Sequence, residues 1–422
     1  MGRQADIRRG SPARHPRGLP ILYIGATLPK LSETFVYREL LGLRNRGRPI
    51  RLASVHRPGA DKDDPALAAL AREALVVYSA ATAAVLPLAL AFHARVVLRG
   101  VADAFTADHR GPAARIKHVG QVAMAAGAAW RLRGAGIGHV HAHMANTPAT
   151  VGLYIARALG ATFSFTGHAA DLFVHRQALA FKLREAAFVS CISAWHRDFY
   201  REQAAIDPAR LPVVRCSVEM PGEISGGSGG DIVTVARLVA KKGIDILLRA
   251  YARLAAADPS APRLRVIGDG PERAGLEALA EELGIAARVD FAGARPHAAC
   301  LDAIRGAAVF ALPCRTATSG DKDGIPVVLM EAMAAARAVV AGDLPTMREL
   351  VEDGASGMLV PPDDVAALGD ALAAVVADPG LRRRLGAAAR ARVAEEFADD
   401  VNWDRLERAF DAVASLGPAG AQ

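Results

Sequence analysis

The sequence predicts an α/β chain of two doubly wound parallel sheets with a cleft between them. Three observations carry this expectation. Short apolar runs alternate with helical patterns from Leu19 onward. A Gly/Ser tract, SGGSGGD (225–231), interrupts that alternation in mid-chain and reads as a linker. The 422 residues are too many for one ordinary core and suit two domains of about 150–200 residues each.

The first half begins with ILYIG (21–25), a strand candidate, then a helix over 33–47 ending at Gly47 and a strand at IRLASV (50–55). HVHAHMA (139–145) and TFSFTGHAAD (162–171) read as strands running into loops. FVSCIS (188–193) reads as a strand before a helix around Trp195–Gln203, and LPVVRCSV (211–218) closes this half. After the Gly/Ser tract come the strands DIVTVAR (231–237), RLRVIGDG (263–270), RVDFAG (288–293), AVFALP (308–313) and AVVAG (338–342). Helices are expected at 243–256, 271–283, 297–306, 326–337 and 363–377, and 380–414 is helical. Such alternation implies βαβ units, whose ligands bind at the carboxyl ends of the strands. The expected divisions are a disordered basic arm at 1–18, a first domain at 19–224, a linker at 225–230 and a second domain at 231–395. A C-terminal helix and tail at 396–422 would pack back across both halves through Phe397, Val401, Trp403, Leu406 and Phe410.

With 52% apolar and 23% charged residues, a folded globular protein is the default. Cys191, Cys216, Cys300 and Cys314 form no CxxC pair and no Cys/His metal spacing, so they read as reduced thiols in a cytoplasmic protein. The net charge of +7 draws on Arg3, Arg8, Arg9, Arg14 and Arg17. No aromatic-rich basic motif accompanies them, which argues against nucleic acid. Weak attraction to anionic lipid fits better. Residues 74–94 hold no Lys, Arg, Asp or Glu and are long enough to span a bilayer. Pro87, Ser79, Thr82 and His93 keep them only mildly apolar, so a buried or surface-associated segment is favoured over a transmembrane helix.

The chemistry concentrates in the second half. Arg237 follows a strand directly, and Lys242-Gly243 precedes a helix. Two cations beside a helix N-terminus can hold a diphosphate, or be ordinary surface charges on a turn. VIGDGPE (266–272), with Gly268, and Gly293 after RVDFA are turns that let backbone approach a nucleotide, or plain tight turns. DKDGIPVVLMEAMA (321–334) is stronger. Pro326 suits a first helical turn, so amides near Gly324, Ile325 and Val328 would be free donors for phosphate. Glu331, set amid apolar neighbours, needs a buried partner such as a pair of ribose hydroxyls.

In the first half, Ser32-Glu33-Thr34 precedes a helix and is a plain N-cap or a site element. His168, in FTGHAADLF (165–173), follows a strand into the expected cleft. His139, His141 and His143 alternate along a strand, but no acidic partner is evident nearby and no metal is expected.

These motifs together resemble the retaining family 4 glycosyltransferases of the GT-B fold. The resemblance runs from about Ile21 to about Phe397 and is closest to the exopolysaccharide, colanic-acid type. It is carried by SETFVYREL (32–40), HAHMA (141–145), FTGHAADLF (165–173), VARLVAKKGID (235–245), VIGDGPER (266–273), DGIPVVLMEAMA (323–334) and ELVEDGASGMLVPPDD (349–364).

The resemblance implies two Rossmann-like domains, the first for the acceptor and the second for a UDP- or GDP-sugar. It implies that Arg237 and Lys242 hold the donor diphosphate and that Glu331 binds the ribose. Asp323 would face the donor sugar, and Gly324, Ile325 and Pro326 would present backbone groups. His168 would lie near the reacting carbon, and Gly293 by the base. Ser32, Thr34 and Asp171 are acceptor-side candidates. The implied reaction retains anomeric configuration without cofactor or metal, onto a glycan or lipid-linked acceptor. That acceptor suggests a cytoplasmic protein at the inner face of the membrane. Departures are Asp323 for the family's glutamate, Ala236 for a common Gly, Ala336 and Ala338 where Gly and Pro are common, and RCSVEM (215–220) for a common GVD. Another GT-B chemistry, epimerase or phosphorylase, or a non-catalytic binding partner, is the alternative.

Overall fold

The computed structural model describes residues 18–30, 33–59, 65–109, 111–168, 177–222 and 230–414. The basic arm, Ser32, Asp171 and most of the Gly/Ser tract lie outside them.

The chain runs β1 (Ile21–Gly25), α1 (Thr34–Asn45), β2 (Ile50–Ser54), α2 (Pro65–Glu73), β3 (Leu75–Val76), α3 (Ala80–Ala83), α4 (Leu86–Phe92), α5 (Ala94–Thr106) and α6 (Pro112–Leu132). It continues with β4 (His139–His143), α7 (Thr147–Leu159), β5 (Thr162–Thr166), α8 (Leu179–Glu185), β6 (Phe188–Ser190) and α9 (Ala194–Gln203). The second half has β7 (Ile232–Val235), α10 (Ile244–Ala257), β8 (Leu264–Ile267), α11 (Arg273–Glu282), β9 (Val289–Gly293), α12 (His297–Gly306) and β10 (Val309–Leu312). Then follow α13 (Val327–Ala334), β11 (Ala338–Gly342), β12 (Met358–Val360), α14 (Val365–Ala377), α15 (Pro379–Glu396) and α16 (Asp399–Ala414).

Two six-stranded parallel sheets result, ordered β3-β2-β1-β4-β5-β6 and β12-β11-β10-β7-β8-β9. In each sheet the chain reverses its direction of winding between two central strands, β1/β4 and β7/β10. A crevice opens there at the strand C-termini. The strands explain the sheet type. β1, β4, β10 and β11 are buried along their whole length with no alternation, as helices on both faces require.

Residues 74–94 do not form one span. Leu75–Val76 pairs with β2, and Ser79 caps α3 by accepting from the Thr82 amide. Pro87 sits in the first turn of α4. No helix among the described residues is long and apolar enough to cross a membrane. The apolar run at 211–218 that closes the first half is not a strand. It makes only single bridges, Val213 to Cys191 and Val218 to Ala398, because this segment passes between the halves instead of joining a sheet.

The helical stretch after residue 378 breaks into α15 and α16 at Phe397 and Ala398. Phe397 belongs to the core of the second half, while Leu406, Phe410 and Val413 lie in the core under β1 of the first. Arg38 on α1 bonds both carboxylate oxygens of Asp399, and Arg46 reaches Asp400, Asp404 and Glu407. Trp403 packs where α1 has Gly42, and a Cβ there would come within 2.4 Å of the ring. Ala336, just past α13, holds φ at 54°, the left-handed conformation that glycine adopts without penalty.

Candidate active site

The second half builds its site from the loops that leave β7, β8, β10 and the N-terminus of α13. Gly268 has φ of 140°, and a Cβ there would lie 1.8 Å from the Ala236 carbonyl. At Gly270 it would lie 2.3 Å from the Leu238 carbonyl. The loop after β8 therefore packs backbone to backbone against 236–238, and the Leu238 amide donates to the Asp269 carbonyl. The close approach that these glycines permit is made to the chain's own backbone. Gly293, with φ of 72°, accepts from the Gly268 amide and extends the same seam.

Arg237 and Lys242, expected as a pair, sit in opposite surroundings. Arg237 is exposed and forms no ion pair among the described residues. Lys242 is largely buried, and its Nζ lies 2.8 Å from Asp323 Oδ2. Lys241, which the motif analysis passed over, reaches Asp323 Oδ1 at 3.4 Å and Asp321 at 3.1 Å. Cys314 donates to Asp323 at 3.2 Å. Burial opposes ionisation of Asp323, but Lys242 and then Lys241 outweigh it and hold the carboxyl below its usual range. Burial likewise opposes the charge on Lys242, and Cys314 and Asp323 more than restore it.

Pro326 precedes α13 instead of opening its first turn, and the first backbone bonds of the helix run from Leu329 and Met330 to its carbonyl. The amides of Val327 and Val328 come before those donors, at the positive end of the helix. Thr346 donates to the Asp323 and Gly324 carbonyls and fixes the loop. Glu331 lies one turn into α13, with its Oε1 accepting from His297 Nε2 at 2.8 Å. That bond, foremost, raises the His297 pKa. His297 was missed because a lone histidine at the start of a helix carries no signal of its partner.

From the first half, His168 ends the described part of the loop after β5 and is 9% exposed. Its ring centroid lies 4.8 Å from that of Phe35 and 5.8 Å from that of His143. Burial pushes its pKa far down, helped by His143 and His196. Thr34 opens α1, while Glu33 at the N-cap makes no side-chain cap and pairs with Lys30. The expectation of no acidic partner for the β4 histidines is corrected. Glu39 of α1 accepts from His143 at 3.0 Å and from the Tyr23 hydroxyl at 3.0 Å. Donor atoms of Glu39, His141 and His143 lie within 4.8 Å of one another. Both ring nitrogens of His141 already bond, to Ser164 and Thr166, so hydrogen bonds account for this cluster.

The two walls meet. Gly324 faces Ile192 and His196, with a Cβ there falling 3.7 Å from the His196 ring. Lys322 lies over Trp195 at 4.6 Å. Glu349 accepts from the Ala194 and Trp195 amides, both at 2.8 Å, at the N-terminus of α9, and pairs with Arg215 at 2.6 Å. A carboxylate of the second half thus caps a helix of the first.

Residues 226–392 match the family described as Glycosyl transferases group 1. The second half of this chain is a group 1 glycosyl transferase domain. The chain is 37% identical over 171 residues to a putative colanic acid biosynthesis glycosyltransferase, WcaL, of Salmonella typhimurium, an alignment covering 39% of this chain and 42% of that protein. It is also 37% identical over 166 residues to a GDP-mannose-dependent phosphatidylinositol monomannoside mannosyltransferase of Mycolicibacterium smegmatis, covering 38% and 42%. The chain therefore matches less than half the length of these relatives. Solved structures extend the likeness to both halves. Anabaena HepE in complex with UDP superimposes with a TM-score of 0.69 at 17% identity, covering 93% of this chain and 100% of that one. Sucrose-phosphate synthase from Thermosynechococcus elongatus gives 0.71 at 18%, covering 94% and 100%. The fold is GT-B, with the group 1 domain as its second half.

Proposed function

We propose that the chain is a retaining hexosyltransferase that moves a sugar from a UDP- or GDP-sugar to a glycan or lipid-linked acceptor in surface-polysaccharide assembly. One observation carries this reading. After β7 and β10, Lys242 meets Asp323 and feels the charge of Arg237, and the neighbouring Gly324, just ahead of α13, faces His196 of the first half. Relatives named for colanic acid and amylovoran biosynthesis support the polysaccharide role. The Mycolicibacterium relative is named for GDP-mannose, and the HepE structures hold UDP or UDP-glucose, so both bases stay in the proposal.

In this reading Glu331 accepts from the ribose hydroxyls, and the α13 amides with Arg237 and Lys242 receive the diphosphate. As the glycosidic bond breaks, negative charge grows on that diphosphate, and these donors gain strength where it develops. The leaving phosphate takes the proton of the acceptor hydroxyl on the face it departs from, which retains configuration. Binding and orientation supply the rest of the rate. Lys242 would exchange Asp323 for phosphate, and this frees Asp323 to meet the sugar. The cations and the helix end stand in for a metal.

The acceptor's membrane would be met by the helices after β3. Leu88, Phe92, Leu98, Phe105 and Ile116 are each more than 60% exposed, and Arg95 and Arg99 share the outer stripe of α5 with Leu98 and Phe105. Apolar and cationic residues on one face suit an anionic lipid surface. The decisive assay incubates the protein with a panel of UDP- and GDP-sugars, with and without saccharide acceptors, and follows release of nucleoside diphosphate. Acceptor-dependent release supports transfer. Epimerisation of donor without acceptor, or no turnover of any donor, refutes it.

A further inference from the structure

We propose that Glu39 and His143 form a buried carboxylate–imidazole pair that orients and polarises His168, which makes both positioning residues for sugar transfer. The inference rests on the reading of His168 as the imidazole beside the reacting carbon.

The three histidines of β4 differ in one respect. His139 uses both ring nitrogens, on Thr162 and Ser164, and His141 uses both, on Ser164 and Thr166. His143, nearest the cleft, uses only Nε2, on Glu39. Its Nδ1 is buried without a partner, in a side chain only 2% exposed. A carboxylate oxygen accepts, so Nε2 carries a proton, and in the neutral ring Nδ1 is a bare lone pair. Buried polar atoms are seldom left unpaired, and this one belongs to a ring stacked on His168.

Two rings pack against His168: Phe35, tilted by 46°, and His143, nearly parallel at 19°. Phe35 and Glu39 are four residues apart on α1, so one face of that helix supplies both the ring that packs His168 and the carboxylate that locks His143. Tyr23, buried in β1, donates to the same Glu39 oxygen and holds its orientation. The sugar ring gains positive charge as its bond to the diphosphate loosens. Glu39 places a carboxylate behind the imidazoles on the wall opposite Lys241 and Lys242. The cleft is then polarised along the breaking bond.

The test uses the full chain with Glu39→Gln, which keeps the shape and an oxygen that accepts from Tyr23 and His143, and removes the charge. Histidine ring 15N shifts are read in wild type and variant, alongside kcat, donor KM and Tm. The expected result is an Nε2–H tautomer of His143 in the wild type that is kept in E39Q, whose amide oxygen still accepts. In that variant kcat should fall on the order of 10- to 100-fold, the range that carboxylate partners of functional imidazoles carry in metal sites, at unchanged donor KM and Tm. An Nδ1–H tautomer in the wild type, wild-type kcat in E39Q, or a kcat loss that only follows a loss of Tm would overturn the proposal. If E39Q does not fold, the wild-type tautomer still decides. A wild type with the Nε2–H lock but no turnover of any nucleotide sugar would sink the transferase reading, and the role assigned here with it.

Discussion

Arg237 and Lys242 stand at one strand end in opposite surroundings, and alanine at each should separate catalysis from stability. Arg237 is exposed and unpaired among the described residues, so R237A abandons no buried partner. Its stability cost should stay within about 0.5 kcal/mol. Its rate cost should be about 100-fold, the loss of one donor at a developing charge, equivalent to about 2.7 kcal/mol of barrier. K242A should carry the same rate term and a second one. It removes the cation 2.8 Å from Asp323, whose side chain is 14% exposed. Breaking a fully buried pair costs about 3–5 kcal/mol. Lys241 stays 3.4 Å from Asp323, and the Cys314 bond persists, so about 1–3 kcal/mol is expected. The pH dependence carries a sign. Asp323 is held below its usual range, so the pair stabilises the fold above the ordinary carboxylate range, and this is lost as pH falls through the depressed value. In K242A that acid loss should begin at higher pH. R237K should not rescue fully, because an ammonium cannot reproduce a bidentate fork on phosphate. The double mutant should fall short of the summed singles. The assay is kcat, donor KM and thermal scans across acid pH for wild type, both singles and the double. If both alanines change only KM, the leaving-group role is wrong. If R237A loses as much Tm as K242A, the contrast in burial is not what sets their stability.

Glu331→Ala should weaken nucleotide-sugar binding, at about 1.5–3 kcal/mol for each charge-assisted bond to ribose, with the fold intact. Titration calorimetry showing unchanged donor affinity would remove Glu331 from the site. Activity should persist in excess EDTA, and a loss restored by Mg²⁺ or Mn²⁺ would contradict transfer without a metal. Leu98→Ser with Phe105→Ser, or removal of residues 1–18, should each reduce co-sedimentation with anionic vesicles, and binding equal to wild type would discard that element. Ala336→Gly should stabilise by roughly 0.5–1 kcal/mol, as relief of the left-handed backbone exceeds the added chain entropy, and an unchanged or lower Tm would refute this.

Legibility in the sequence follows the range of the interaction. β1, α12 and β11 fall on their expected bounds because apolar runs and punctuating glycines are local. The 21-residue α6 drew no assignment, since its buried face is built largely from alanines, which leave little apolar contrast. Segment 211–218 has the apolar composition of a strand, but it leaves the first sheet to reach the second half, and no local pattern marks that turn. The substitution of Ala336 for a common glycine was visible in the sequence. Its physical content, a positive φ just past α13, needed the backbone.

The same division orders the site. Arg237, Lys242 and Glu331 stand out in the sequence because each sits at a strand end or near a helix start within its own motif, and Asp323 stands out through the family resemblance. Their partners do not, because a partner is a fact about another element. His297 comes from α12, Lys241 hides beside a more conspicuous lysine, and Glu39 reaches the β4 histidines from more than 100 residues away. Glu349 shows what this implies for function. It caps α9 of the first half, while Thr346, three residues before it, holds the carbonyls of Asp323 and Gly324 in the second. One short turn therefore couples the 323–324 loop to the opposite wall. Burial opposes ionisation of Glu349, but Arg215 and the Trp195 and Ala194 amides overcome it, so the carboxyl sits below its usual range and the clasp holds until pH falls through that value. A cleft assembled by such cross-contacts acquires its alignment from tertiary structure, while the motifs supply the chemistry that the alignment brings to bear.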